Sequence, residues 1–186
     1  TWTVKILTNN ELDEKELKID VVRRLDELEK IFSHWRPDAK LQQFNSAITT
    51  SPFSIHPELL ELLRHAQWMH RETRGVFDPT IAPVVNLWGF GPVGKTRSTI
   101  PSDDQIEQAM TLTGLDKLEI LSKGLVRKKV PTLQLDFSSS AKGEIVDQIC
   151  ILLERWGFNN YLVEIGGEIR AEGKGRKGEG WVVGLE

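Results

Sequence analysis

The sequence has a single cysteine, Cys150, and no run of apolar residues long enough to cross a membrane. A lone cysteine excludes an internal disulfide framework, and its position on the apolar side of a predicted helix indicates core packing. Because a membrane-spanning helix needs about 20 mostly apolar residues, none is predicted. No charge sign dominates either, since 24 basic and 27 acidic residues leave a net charge of -3. With no basic stripe, nucleic acid is excluded as an expected partner.

What the sequence does contain is a pattern typical of one soluble α+β domain over residues 1–186. Trp2, Val4 and Ile6 alternate with polar residues and predict a first strand. After a polar turn at residues 9–10, apolar residues spaced three and four apart predict a long helix that stops at Pro37. A second helix is predicted to begin at Pro57, since proline is favoured in the first helical turn. We therefore expect a mostly antiparallel sheet with helices packed against it.

Shorter signals mark the remaining elements. Ser102 followed by Gln105 is a capping box and predicts a helix start, whereas residues 42–46 are predicted to form a polar loop. Two hairpins are predicted, and the turn of the second is Gly166-Gly167. The glycine-rich residues 173–180 lack Walker spacing and are interpreted as a mobile hairpin loop rather than a phosphate loop. The predicted strands in this part of the chain are residues 118–121, 125–129, 161–165, 168–172 and 181–185.

Residues 133–147 form the stretch around which the chain is organised. Alternating Leu133, Leu135 and Phe137 predict a strand, and the apolar spacing from Glu144 onward predicts an amphipathic helix. Three serines and Ala-Lys-Gly lie between them. Unpaired N–H groups at a helix start, its positive dipole end and the cation Lys142 form a ready phosphate site. An ordinary N-cap serine beside a solvated lysine is the alternative interpretation.

Two aspartates and a tryptophan are further candidates for ligand contacts. Asp136 lies where the predicted strand ends, so its carboxylate can reach a ligand hydroxyl or ring nitrogen. Asp78 precedes a proline and is expected to be extended, with its carboxylate at a turn. Trp35 is either a ligand-stacking or interface aromatic or a core residue at a helix end. The apolar residues 81–90 are predicted to form a pocket wall, and the histidines lack zinc spacing.

Four tracts occur in the order and spacing of one family: residues 76–80, 86–92, 136–147 and 163–169. On these tracts the whole chain closely resembles the FAD:protein FMN transferase family, also called ApbE, formerly described as thiamine-biosynthesis lipoproteins. The resemblance implies an α+β flavin transferase domain that moves FMN from FAD to a threonine hydroxyl of a target protein and releases AMP, with Mg²⁺ as cofactor.

The resemblance also implies roles for particular residues. A flavin would stack near Trp35, and the tract of Val76, Phe77 and Asp78 would contact FAD. Asp136 and Lys142 would contact FAD as well. Ser139 would contribute to a magnesium site, with its main-chain carbonyl as the plausible ligand.

Family members commonly extend past the position of Glu186, where a histidine-containing segment and an aspartate/threonine pair would complete the active site. We therefore expect this chain to be the N-terminal part of the enzyme, truncated at both ends, with its catalytic residues beyond Glu186 and poor activity by itself. The resemblance implies a periplasmic protein on the bacterial inner membrane, held by a lipid anchor upstream of Thr1. The implied partner is a flavoprotein subunit with an acceptor threonine, for example of a redox-driven ion pump.

Two rival functions remain at this point. The chain could be a non-catalytic FAD-binding module, which would bind FAD without turnover. It could also be a purely structural α+β domain that binds no flavin. Quenching of FAD fluorescence separates the second rival from the other two functions.

Overall fold

The computed structural model describes residues 1–9, 11–92 and 100–184. The chain groups into two compact units, Thr1–Leu28 with Ser138–Glu186 as the first and Glu29–Phe137 as the second. Each unit contains helices and one three-stranded antiparallel sheet, so the α+β prediction is confirmed, with two sheets where one was expected. The single domain stays a prediction. The helices are α1 (Glu14–Phe32), α2 (Lys40–Ser46), α3 (Pro57–Glu72), α4 (Ala82–Leu87), α5 (Asp103–Met110) and α6 (Ala141–Arg155); the strands are β1 (Trp2–Ile6), β2 (Phe53–Ser54), β3 (Leu118–Ile120), β4 (Leu125–Lys128), β5 (Tyr161–Ile165) and β6 (Glu168–Glu172).

The first unit is built on the sheet β1-β5-β6, with α6 packed against β5 and β6. The hairpin between β5 and β6 turns at Gly166 and Gly167, as predicted, and both have positive φ, 57° and 98°. L side chains rarely adopt that backbone conformation, so glycine suits both positions. The apolar face of α6 is buried, including Cys150. Burial raises the pKa of the Cys150 thiol to about 11, which agrees with its predicted role in the core.

The second unit holds the sheet β2-β4-β3 and the helices α2 to α5. Helix α3 starts at Pro57, as predicted, and buries an apolar face, and α5 starts at the predicted capping box of Ser102 and Gln105. Residues 81–90 include the short helix α4, preceded by a 3-10 turn at Pro79–Ile81. The pocket wall predicted there stays a prediction.

Four local predictions were wrong. Residues 133–137 form no strand, although Leu133, Leu135 and Phe137 are buried as the alternation predicted. Residues 42–46 belong to helix α2 and not to a loop, because Leu41 and Phe44 bury one apolar side. The first long helix ends at Phe32, before Pro37. Residues 181–184 are not in a strand, and Leu185, like Asn10 of the first turn, lies outside the described residues.

Candidate functional site

The segments that carry Asp78 and Asp136 are joined by a backbone hydrogen bond within the second unit. The N–H of Asp136 donates to the carbonyl of Pro79, the residue after Asp78, over 2.7 Å. Asp136 is only 8% exposed, which is low for a carboxylate. Two residues that are far apart in sequence, and that were singled out separately, therefore belong to one local structure.

Asp78 caps the 3-10 turn that follows it. Its backbone is extended, with φ -137° and ψ 110°, as expected for a residue before proline. Its Oδ1 accepts hydrogen bonds from the N–H of Thr80 at 2.8 Å and from the hydroxyl of Thr80 at 2.6 Å. The buried Thr80 Oγ1 in turn accepts from the N–H of Gly114 at 2.6 Å. These bonds fix the carboxylate of Asp78 in one orientation.

Phe77 is held by the end of helix α3. Its N–H donates to Thr73 Oγ1 at 3.0 Å, and its carbonyl lies 2.8 Å from Nδ1 of His70. Because a carbonyl only accepts, Nδ1 of His70 is the donor, so this histidine has a structural role. Val76, by contrast, is 89% exposed. An apolar side chain so open to solvent is available for a ligand.

Trp35 is 61% exposed, so the alternative of a core tryptophan is wrong. It lies in the turn after α1, where the hydroxyl of Ser33 accepts from the N–H of Trp35 at 3.2 Å. Its ring is tilted against that of His34, with 5.2 Å between centroids. Next to it, a side-chain hydrogen bond from Arg36 lowers the pKa of the Asp38 carboxyl. The open indole face suits a stacking role.

Ser139 and Lys142 lie in the first unit, at the start of α6, which begins at Ala141, three residues earlier than predicted. Lys142 Nζ lies 2.8 Å from Glu168 Oε2 and 3.2 Å from the carbonyl of Gly166. The N-cap residue Ser140 makes no side-chain capping bond, and its buried Oγ has no hydrogen-bond partner in the described part of the chain. The lysine is therefore paired and not simply solvated, while the Ser140 hydroxyl has no partner among the described residues.

Comparison with known proteins decides the family. The protein-family model that is described as the ApbE family matches residues 1–186 of this chain. The chain belongs to the ApbE family. A relative from Vibrio cholerae named FAD:protein FMN transferase is 35% identical over the whole chain, and one from Haemophilus influenzae with the same name is 33% identical. The chain covers 55% of each, so it spans about half the length of the curated relatives it matches.

Solved structures of the ApbE family share the fold. The flavin transferase ApbE from Vibrio cholerae matches with a TM-score of 0.93 at 33% identity, over 100% of this chain and 60% of that one. The apo form of the Pseudomonas stutzeri flavinyl transferase ApbE matches with a TM-score of 0.90 at 34% identity, over 99% of this chain and 61% of that one. The fold predicted from the resemblance is confirmed.

Two residues near the ApbE candidate site escaped the sequence reasoning. Asn45 was assigned to a polar loop, but its side chain binds both backbone groups of Leu135. Lys128 is 0% exposed, and its Nζ donates to the carbonyls of Phe44 at 2.7 Å and Ala47 at 2.8 Å. Lys128 is two residues after the buried Val126 on β4, so strand alternation placed it on the inner face. That signal was available for Lys128, and none was available for Asn45.

Lys128 is expected to make the stability of the protein depend on pH. Burial lowers the pKa of its ammonium from 10.5 to about 8, so between these values the folded state binds fewer protons than the unfolded state. The free energy of unfolding should therefore rise by about 2 kcal/mol from pH ~7 to pH ~9.5 through this group. Denaturant unfolding of wild type and Lys128→Met at both pH values measures it. If the free energy of unfolding changes by the same amount between the two pH values in wild type and in Lys128→Met, the prediction is contradicted.

The described residues do not form a complete magnesium site. They include no group of three or more His, Cys, Asp or Glu residues that could hold a metal ion. Mg²⁺ favours octahedral oxygen coordination, usually with one or two carboxylates. Ser139 could supply one oxygen ligand, so the donor set present here does not fit the ion by itself.

Proposed function

We propose that this protein binds FAD and serves in the transfer of its FMN half to a threonine hydroxyl of a target protein, with release of AMP. The observation that carries the proposal is the bond between the Asp136 N–H and the Pro79 carbonyl, which joins the segments of both candidate aspartates. The names of the relatives, FAD:protein FMN transferase, support FAD as the flavin donor.

The reaction is a phosphoryl transfer at the pyrophosphate of FAD. The threonine oxygen bonds to the phosphorus of the FMN half, and the bond from that phosphorus to the bridging oxygen breaks. AMP leaves with the bridging oxygen, and the hydroxyl proton passes to a base. We assign that base to none of the described residues. In such reactions, catalysis consists mostly of positioning and charge stabilisation.

Within the second unit, we assign flavin recognition to Trp35, Val76, Phe77, Asp78 and Asp136. The carboxylates of the two aspartates would accept hydrogen bonds from ligand N–H or O–H groups, and such charge-assisted bonds are the stronger kind. The exposed indole of Trp35 offers a stacking surface for a flat ring, and Val76 offers apolar contact. These contacts would hold the flavin ring system.

Within the first unit, we assign the FAD pyrophosphate to the start of α6. This helix is 15 residues long, and the N–H groups of its first turn carry a partial positive charge. Lys142 is 47% exposed on its side chain and can turn from Glu168 to a phosphate. The Oγ of Ser140, which has no hydrogen-bond partner in residues 1–9, 11–92 and 100–184, can donate to a phosphate oxygen. The helix N–H groups, the Lys142 ammonium and the Ser140 hydroxyl can each interact favourably with an anion.

Mg²⁺ belongs to the proposal only through the resemblance. When bound, it would spread the negative charge that develops on the phosphate oxygens. Ser139 is the one residue of this chain assigned to it, through its carbonyl. The described residues do not complete its coordination.

The resemblance also supports a location and a partner. We propose that the protein lies on the periplasmic side of the bacterial inner membrane and is lipid-anchored. The proposed target is a flavoprotein subunit with an acceptor threonine, for example of a redox-driven ion pump. Among the described residues, no helix is long and apolar enough to span a bilayer. Membrane fractionation of cells that make the protein, before and after detergent, tests this location.

Incubation of the protein with FAD, Mg²⁺ and a target subunit tests the proposed activity. By mass spectrometry, residues 1–186 alone should transfer FMN poorly, whereas the protein at the length of its relatives should join one FMN group to the acceptor threonine, and none to a target in which alanine replaces that threonine. Bound FAD without covalent transfer would favour the non-catalytic FAD-binding module. Absence of any quenching of FAD fluorescence would contradict flavin binding altogether.

A further inference from the structure

The side chain of Asn45 makes the hydrogen bonds to the segment of residues 133–137 that a neighbouring strand would otherwise make. Its Oδ1 accepts a hydrogen bond from the N–H of Leu135 at 2.8 Å, and its Nδ2 donates to the carbonyl of Leu135 at 2.9 Å. Leu135 is 1% exposed, so water cannot satisfy these two backbone groups. One side-chain amide therefore provides the donor and the acceptor that a paired strand would provide.

The bonds to Leu135 set the position of the next residue. Asp136 follows Leu135 directly, and its own N–H donates to the carbonyl of Pro79 at 2.7 Å. Asn45 thus holds the segment from one side, while Pro79 holds the adjacent peptide. A shift of Leu135 would move the backbone of Asp136 away from the residue that follows Asp78.

Lys128 fixes the end of the helix on which Asn45 lies. Asn45 is the next-to-last residue of α2, and the ammonium of Lys128 binds the carbonyls of Phe44 and Ala47, one on each side of it. The same ammonium lies 4.4 Å from the centre of the Phe44 ring, a favourable cation–π distance. Carbonyls at a helix end otherwise lack partners inside the helix. Asn45 is therefore presented from a braced helix end.

We propose that Asn45 is a positioning residue for the flavin site, which acts through Leu135 to hold Asp136 in its ligand-binding place. The role rests on the proposed function, because Asp136 matters only if it contacts flavin. The amide is the group that fits. An ionised aspartate has no donor for the Leu135 carbonyl, and alanine has neither donor nor acceptor.

The Asn45→Ala variant should weaken FAD binding by about tenfold at temperatures where it stays folded, since its two hydrogen bonds no longer hold the segment. Fluorescence titration with FAD measures it. Amide hydrogen exchange at Asp136 should also become faster than in wild type, since its bond to Pro79 loses support. Leu59→Ala, a buried substitution in the first turn of α3, is the control for lost stability alone.

The Asn45→Asp variant adds a second measurement, the pH dependence of FAD affinity, which general destabilisation would not change. A protonated carboxyl has one donor and one acceptor, like the amide, whereas the ionised form has acceptors only. FAD affinity relative to wild type at the same pH should therefore recover in part as the pH falls from about 7 to about 4, the ordinary pKa of an aspartic acid. Lys128, the charged group that binds the carbonyls flanking this position, stays protonated throughout that range.

Three outcomes separate the possibilities. Loss of FAD affinity in both Asn45 variants, with recovery of Asn45→Asp at low pH and an unchanged Leu59→Ala, supports the positioning role. Equal loss in Leu59→Ala, or no recovery at low pH, overturns it. If Asp136→Ala binds FAD like wild type, it is the proposed flavin site that fails, and with it any positioning role of Asn45.

Discussion

Replacement of Asp136 by alanine is expected to weaken FAD binding by about tenfold to hundredfold. A charge-assisted hydrogen bond contributes about 1.5–3 kcal/mol, and about 1.4 kcal/mol corresponds to a factor of ten. The residue is only 8% exposed, so water replaces the carboxylate poorly. The bond from the Asp136 N–H to Pro79 uses the backbone and survives the substitution. Titration of FAD, followed by flavin fluorescence, measures the change.

Two further variants make the Asp136 experiment specific. Asp136→Asn keeps an acceptor but removes the charge, so its affinity should lie between those of wild type and the alanine variant. Asp104→Ala removes an exposed carboxylate from the first turn of α5 in the same unit and should bind FAD like wild type. Equal FAD affinity in wild type and Asp136→Ala would show that the site is assigned to the wrong residue.

Where the signal was local, the elements could be predicted from sequence. The capping box at Ser102, the proline start of α3 and the glycine turn between β5 and β6 each depend on residues within a few positions of one another. All three are present in the structure. Local chemistry decides such features, and a single sequence contains it.

The segment around Leu135 marks the limit of this reasoning. Alternation correctly predicted which of its side chains are buried, since burial alone produces that pattern. It could not predict the partner, because the hydrogen bonds come from Asn45, 90 residues away in the chain, and not from a strand. Helix α2 was missed because its N-cap residue, Ala39, makes no side-chain capping bond and so gives no sequence signal for a helix start. The division into two sheets likewise depends on strand pairing between distant parts of the chain.

The candidate site likewise combines local features that the sequence predicted with long-range contacts that it did not predict. Asp78 and Asp136 were each recognisable from their neighbours and from the resemblance, and the Asp136–Pro79 bond that joins their segments is long-range. Lys128 was overlooked because a lysine on the inner face of a strand is rare and costly. The structure explains it by the two helix-end carbonyls that it binds. In this chain, sequence patterns predicted the residues expected to contact a ligand, and the structure identified the residues that hold them in place.

Replacement of Lys142 by alanine is expected to weaken FAD binding by about tenfold to hundredfold, because a charge-assisted contact to the pyrophosphate is lost. Riboflavin has the same ring system without phosphate, so its affinity should be nearly unchanged. Titration of both ligands against wild type and Lys142→Ala measures the difference. Lys142→Arg keeps the charge and should retain part of the FAD affinity.

The ion pair of Lys142 with Glu168 requires a matched control. Both side chains are about half exposed, so the pair itself should contribute little to stability. Glu168→Gln removes the charged partner and leaves the ammonium its contact with the Gly166 carbonyl, so FAD should bind at least as tightly as to wild type. If Glu168→Gln instead reproduces the loss seen in Lys142→Ala, the lysine acts through the fold of the first unit. If Lys142→Ala weakens FAD and riboflavin alike, the pyrophosphate lies elsewhere and the start of α6 is not its site.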